Sequence, residues 1–118
     1  MMLKRIAKEI ENYVSHPHPF VTIFPSSDIT LWKMVLVGPK TTPYTDGVFI
    51  LDVNFPNDYP KKAPEFRFRT EIYHININKE GRICHSIFSR DYDPSLSVRS
   101  IIDAIFGLIL SPEFEDPL

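Results

Sequence analysis

The chain reads as an α+β protein: an N-terminal helix, an antiparallel meander of about four strands, a long irregular segment and a second helix. Three observations lead there. Apolar residues recur at helical spacing near the start, at Leu3, Ile6, Ile10, Tyr13 and Val14, and again from Val98 onward. Between these stretches, short runs alternate with period two and are separated by turn residues, as in antiparallel hairpins. From about residue 71 to 96 neither period holds, and a long ordered loop inside a compact domain is usually functional. A length of 118 residues predicts one domain, 1–118, around one modest core.

Residues 1–15 are the first predicted helix. Lys4, Arg5 and Lys8 cluster near its start. The pattern alone reads them as a solvated face, although basic charge in a first turn opposes the helix dipole and leaves room for a partner. His16-Pro17-His18-Pro19 ends the helix, because proline lacks a backbone N–H and restricts the residue before it. Residues 20–24 are a short β-type run closed by Pro25, and 25–28 a turn. Residues 31–37 are the second strand, with Trp32, Met34 and Leu36 on one face. Residues 38–47 are a turn-rich loop. Residues 48–55 alternate most clearly, Phe49, Leu51, Val53 and Phe55 against Ile50, Asp52 and Asn54. A proline-locked loop, 57–64, precedes 65–69, where Phe66 and Phe68 point inward. Ser97 reads as the N-cap of the last helix. Its face is Val98, Ile101, Ile102, Ile105, Leu108 and Ile109, and Pro112 ends it.

Composition narrows the function. The apolar share of 43% and charged share of 24% suit a soluble globular protein. A net charge of −2 does not point to nucleic acid. With one cysteine, Cys84, no internal disulfide framework and no cysteine-only metal site is expected, and a reducing compartment fits. No leader-like stretch is read, and no apolar run approaches the roughly 20 residues of a membrane span. The 11 prolines, against 4 glycines, lie between apolar segments and read as fixed turns. No cofactor, no metal, no nucleic acid and no membrane is expected.

The irregular stretch 73–96 holds Cys84. Asn76 precedes it, with the turn Lys79-Glu80-Gly81 between, and such a turn folds the Asn back toward the thiol. A carboxamide beside a sulfur nucleophile points to acyl transfer, in which sulfur attacks a carbonyl and an N–H donor holds the oxyanion. No general base is evident. His85 is the next residue along, and consecutive side chains point apart, so this is not the Cys/His pair of a protease. The pattern suits a cysteine that receives an already activated acyl group and passes it on. Taken alone, a single cysteine is more often an inert buried one, and Asn76 reads equally well as a turn residue.

A series of short pieces in order and spacing then resembles a known family. They are Leu3 to Ile10, Trp32 with Gly38-Pro39, Thr42-Pro43-Tyr44 with Gly47-Val48-Phe49, Phe55-Pro56 with Tyr59-Pro60, and Pro64. Next come Ile72-Tyr73-His74 with Asn76-Ile77-Asn78, Gly81-Arg82-Ile83-Cys84, Asp91-Tyr92-Asp93-Pro94 and Asp116-Pro117-Leu118. Together they resemble the core of the ubiquitin-conjugating enzymes across nearly the whole chain. The resemblance implies that family's α/β roll, with the active-site loop between the meander and a packed central helix. It implies transthioesterification in the cytoplasm, the nucleus or both. Cys84 would carry ubiquitin, or a ubiquitin-like modifier, as a thioester. Asn76 would shape the loop or support the oxyanion, and Asp116 would orient and desolvate the incoming amine. His74 matches a structural hydrogen-bonding histidine. Lys4, Arg5 and Lys8 would meet the ubiquitin-activating enzyme, while Lys61, Pro94 and Ser95 would face a ubiquitin ligase. The carrier is expected to be a monomer. Thr22 falls near a position where some members hold a second ubiquitin, but it is read as a plain surface residue.

The chain departs from the family pattern in several places. Ile75 replaces a proline, which implies a less rigid setting for Asn76. His85-Ser86 replaces Leu-Asp, a change expected to weaken attack by lysine and to favour a ligase cysteine, although Asp116 argues the other way. Lys61 replaces an apolar Phe, and Tyr92-Asp93-Pro94-Ser95 replaces Trp-Ser-Pro-Ala, so different ligases or none are expected. Two C-terminal helices of the family are missing after Leu118, so the chain is C-terminally short. An alternative is a binding or scaffold variant of the same fold with decayed catalysis.

Overall fold

The computed structural model describes residues 2–114. Helix α1 (Met2–Ser15) leads into strands β1 (Val21–Pro25), β2 (Leu31–Val37), β3 (Val48–Asn54) and β4 (Glu65–Phe68). These form one antiparallel sheet in the order β1-β2-β3-β4. A short 3₁₀ turn (Ser86–Phe88) and helix α2 (Val98–Leu110) follow. The predicted order of elements is therefore observed, and no strand end shifts by more than one residue.

The core lies between the sheet and α2. Trp32, Met34 and Leu36 of β2, Leu51 and Val53 of β3, and Phe66 and Phe68 of β4 all bury their side chains. They meet Val98, Ile101, Ile102, Ile105, Phe106 and Ile109 of α2. Each such burial contributes about 1.5–3 kcal/mol. Ser97 caps α2 as predicted, its hydroxyl accepting from the Ser100 N–H at 3.1 Å.

Helix α1 packs Ile6, Ile10 and Tyr13 of the expected face against the core, but not Leu3 and Val14. Leu3 is 56% and Val14 70% exposed, whereas Ile6, Glu9 and Tyr13 are buried. The cause is Glu9. One carboxylate oxygen accepts the backbone N–H of Val98, the first residue of α2, at 2.8 Å. The other accepts from Arg5 Nε at 2.9 Å. An unmet N–H at a buried helix start is costly, and a carboxylate there also complements the dipole. With Glu9 turned inward, Met2, Ile6, Ile10 and Tyr13 lie toward the core and Leu3 and Val14 face solvent. The remaining guanidinium of Arg5 donates to the Leu96 carbonyl at 3.0 Å, just before α2.

Glu9→Ala removes the acceptor for an α2 amide and leaves the Arg5 charge unpaired. It is expected to destabilise the protein by about 2–3 kcal/mol in urea unfolding. Leu3→Ala, on the solvent side of the same helix, is expected to change stability by under about 0.5 kcal/mol. Equal effects from the two variants would refute the inward role of Glu9.

Candidate active site

The segment between β4 and α2 carries Cys84 on a narrow antiparallel ribbon. Cys84 N–H donates to the Asn76 carbonyl at 2.7 Å, and Asn78 N–H donates to the Arg82 carbonyl at 3.0 Å. These bonds flank the bridge Ile77↔Ile83. The turn Lys79-Glu80-Gly81 thus folds Asn76 back beside Cys84. Asn78 closes it, its Oδ1 accepting from the N–H groups of Glu80 and Arg82 at 3.0 and 2.9 Å. Gly81 is needed here: its φ is +85°, and a Cβ would come within 2.0 Å of the Phe68 carbonyl oxygen. That contact lets the ribbon lie against β4, where Phe68 N–H donates to the Gly81 carbonyl at 2.9 Å.

The Asn76 side chain is fully buried. Its Nδ2 donates to the Glu113 carbonyl at 2.8 Å, and its Oδ1 accepts the Glu113 N–H at 2.9 Å. This two-point clamp fastens the chain after α2 over the ribbon. His74 makes a second fastening. Its Nδ1 accepts the Asn76 N–H at 3.0 Å, so the ring proton sits on Nε2, which donates to the Leu108 carbonyl of α2 at 2.6 Å. Both ring nitrogens are therefore in structural use.

Cys84 is partly exposed and lines a groove of about 470 Å³ between the 84–90 segment and the C-terminal half of α2. His85, Arg90, Gly107, Leu108 and Glu113 also line it. His85 Nδ1 accepts the Ile87 N–H at 2.9 Å and caps the 3₁₀ turn, so that nitrogen is already engaged. A Cβ at Gly107 would meet nothing within 4 Å, so the glycine opens the groove rather than relieving a clash. A partly exposed thiol lining an open groove can accept an activated acyl group.

Comparison with known proteins shows the family. A family model described as ubiquitin-conjugating enzyme matches residues 5–118. The chain belongs to the ubiquitin-conjugating enzyme family. It is 42% identical over 116 residues to ubiquitin-conjugating enzyme E2 13 of Saccharomyces cerevisiae, covering 98% of this chain and 76% of the relative. It is 41% identical over 117 residues to a probable bifunctional E2/E3 enzyme of Acanthamoeba polyphaga mimivirus, covering 98% of this chain but only 9% of that protein.

The residues that the resemblance assigns to partners lie on α1 and on two loops, and Arg5 reaches Tyr59 and Leu96 between them. Lys4 and Lys8 are exposed on α1, whereas Arg5 is half-buried and turned inward. Its guanidinium lies over the Tyr59 ring, 5.6 Å from the centroid. Tyr92 Oη donates to the Pro60 carbonyl at 2.6 Å, which joins the loop of Lys61 to the loop of Pro94 and Ser95. Those three residues are exposed. Asp93 shapes the second loop by accepting from the Ser95 hydroxyl and, at 2.9 Å, the Ser95 N–H. Both bonds hold the Asp93 carboxyl below the usual carboxylate range. Burial pushes the Tyr59 phenol well above its ordinary range. Asp116 lies outside the described residues. Sequence reasoning missed Glu9, since a buried glutamate beside an arginine gives no periodic signal, and it named Tyr59 and Tyr92 only within family motifs.

Ile75 follows His74 in the turn closed by Ile77 N–H to the His74 carbonyl at 3.1 Å. That is the turn position where proline is favoured. Ile75→Pro is therefore expected to raise stability by about 0.5–1 kcal/mol, read from thermal or urea unfolding. A loss of that size would mean that the turn has a shape proline cannot enter. Asn76→Ala removes a buried clamp and is expected to destabilise by about 2 kcal/mol; an unchanged midpoint in the same unfolding experiment would refute the structural role.

Proposed function

We propose that this ubiquitin-conjugating enzyme carries ubiquitin, or a related modifier, as a thioester on Cys84. The thiolate attacks the thioester carbonyl through which the activating enzyme holds the modifier, and the activating enzyme's thiolate leaves. A lysine amine or a ligase cysteine then attacks the new thioester. Cys84 departs as thiolate, and an attacking amine loses its proton to solvent. The acyl group arrives already activated, so a strong base is not required at Cys84.

The observation that carries this reading is the pairing of Cys84 with Asn76 across the ribbon, with the thiol-bearing residue lining an open groove. The engagement of His85 as a cap supports a carrier rather than a hydrolase. The Asn76 clamp on Glu113 supports a loop-shaping role for its carboxamide. Asp116 is proposed to orient the incoming amine. Exposed Lys4 and Lys8 are proposed to meet the activating enzyme, with Arg5 supporting that face from within. Lys61, Pro94 and Ser95, on loops joined by Tyr92, are proposed to face a ligase.

Charging with activating enzyme, ATP and ubiquitin, followed by gels with and without reductant, tests the proposal. A reductant-sensitive adduct is expected, absent in Cys84→Ala and replaced in Cys84→Ser by a slower, reductant-resistant oxyester. An adduct that persists in Cys84→Ala would refute Cys84 as carrier. No adduct from folded protein, with other modifiers also tried, would turn the reading to a scaffold of the same fold.

A further inference from the structure

Acyl transfer as described gives His85 no contact with the substrate, although it directly follows the thiol. It is half-buried and lines the same groove as Cys84. Neighbouring side chains in an extended segment diverge, yet both residues border this one groove. Consecutive Cα atoms lie only about 3.8 Å apart, so an acyl chain on Cys84 passes close to the imidazole.

The two ring nitrogens stand in different situations. Nδ1 accepts the Ile87 N–H at 2.9 Å and caps the 3₁₀ turn. A ring nitrogen that accepts carries no proton, so the proton sits on Nε2. Nε2 has no hydrogen-bond partner among the described residues. It is not closed off either. Among the described residues, the buried side-chain nitrogen and oxygen atoms left without a partner are the Tyr59 hydroxyl and Arg67 Nε, and His85 Nε2 is not one of them. It is therefore an accessible N–H donor. His74 differs, since both of its ring nitrogens are engaged.

The mount of this donor is fixed. The Ser86 carbonyl accepts the N–H groups of Ser89 and Asp91 at 3.0 and 2.9 Å, which closes the turn that the ring caps. A donor held in direction beforehand needs no reordering when its acceptor arrives. An acyl chain of peptide origin presents carbonyl oxygens and amide N–H groups, and an N–H donor selects the carbonyls.

We propose that His85 contacts the substrate: Nε2–H donates to a carbonyl oxygen of the acyl chain on Cys84 and holds the thioester in one orientation for the incoming nucleophile. This contact rests on the reading of Cys84 as the carrier.

Two substitutions separate the ring nitrogens. In His85→Asn the short carboxamide oxygen still accepts the Ile87 N–H, as in an Asx-type cap, but the Nε2 donor is gone. In His85→Gln the longer side chain returns an N–H donor toward the Nε2 position, while the cap is weakened. The adduct is formed on each protein and purified, and its discharge to free cysteine is followed in a single turnover. His85→Asn is expected to discharge roughly tenfold more slowly than wild type, with an unchanged unfolding midpoint. His85→Gln is expected to discharge within roughly twofold of wild type, with a lowered midpoint. Rates that instead follow the midpoints, Asn normal and Gln slow, mean that the ring is only a cap and overturn the proposal. An absent adduct on the wild-type protein overturns the carrier reading and this contact with it. A normal wild-type adduct whose discharge is indifferent to His85→Asn overturns this contact alone. Should the variants not fold, the oxyester of Cys84→Ser decides. A nitrogen NMR shift of His85 Nε2 that differs between loaded and unloaded protein supports the contact, and an unchanged one refutes it.

Discussion

A fully buried carboxamide must have its donor and acceptor met inside the protein, and Asn76 meets both on the backbone of Glu113. Much of the candidate site hangs from that constraint. The clamp fixes the chain after α2 over the Cys84 ribbon. The Asn76 backbone receives the Cys84 N–H, and its own N–H goes to His74, whose ring reaches back to α2. Ribbon, helix and the segment after it are thereby one cross-linked unit. A carboxamide held in this way is fixed in orientation.

A second constraint sits at the other end of α2. The helix is apolar on most of its surface and is driven against the sheet. Its N-terminal amides must still be satisfied at the point of burial. Ser97 meets one from the adjacent sequence, and Glu9 meets another from α1. The same glutamate holds Arg5, and Arg5 holds the Leu96 carbonyl and lies over Tyr59. The proposed activating-enzyme face and ligase-facing loops therefore share a buried polar hub. Side chains at their surface, Lys4, Lys8, Lys61 and Ser95, are left exposed.

Several departures from the family pattern have physical answers in the fold. Ile75 forgoes the rigidity of proline, but the turn is closed by Ile77 N–H to the His74 carbonyl and braced by the His74 ring. Tyr92 takes the place of a tryptophan and uses its hydroxyl to tie the loop to Pro60, a bond that depends on the phenol. His85 engages one ring nitrogen as a cap of the 3₁₀ turn.

Alternating and helical periods determined the order of elements, the inward residues of the strands and the apolar face of α2, because each is a local consequence of backbone geometry. Turn residues determined that Asn76 folds back beside Cys84, since Asn78 and Gly81 close that turn within a few residues. The α1 face was legible at Ile6, Ile10 and Tyr13 but not at its edges. Leu3 and Val14 obey helical spacing, yet the helix is oriented by Glu9, whose partner Val98 is distant in sequence. Nor was the direction of the Asn76 side chain legible. Each depends on which groups arrive from elsewhere to meet a buried polar atom. Local pattern specifies which way a backbone runs; tertiary packing alone decides where buried hydrogen bonds close.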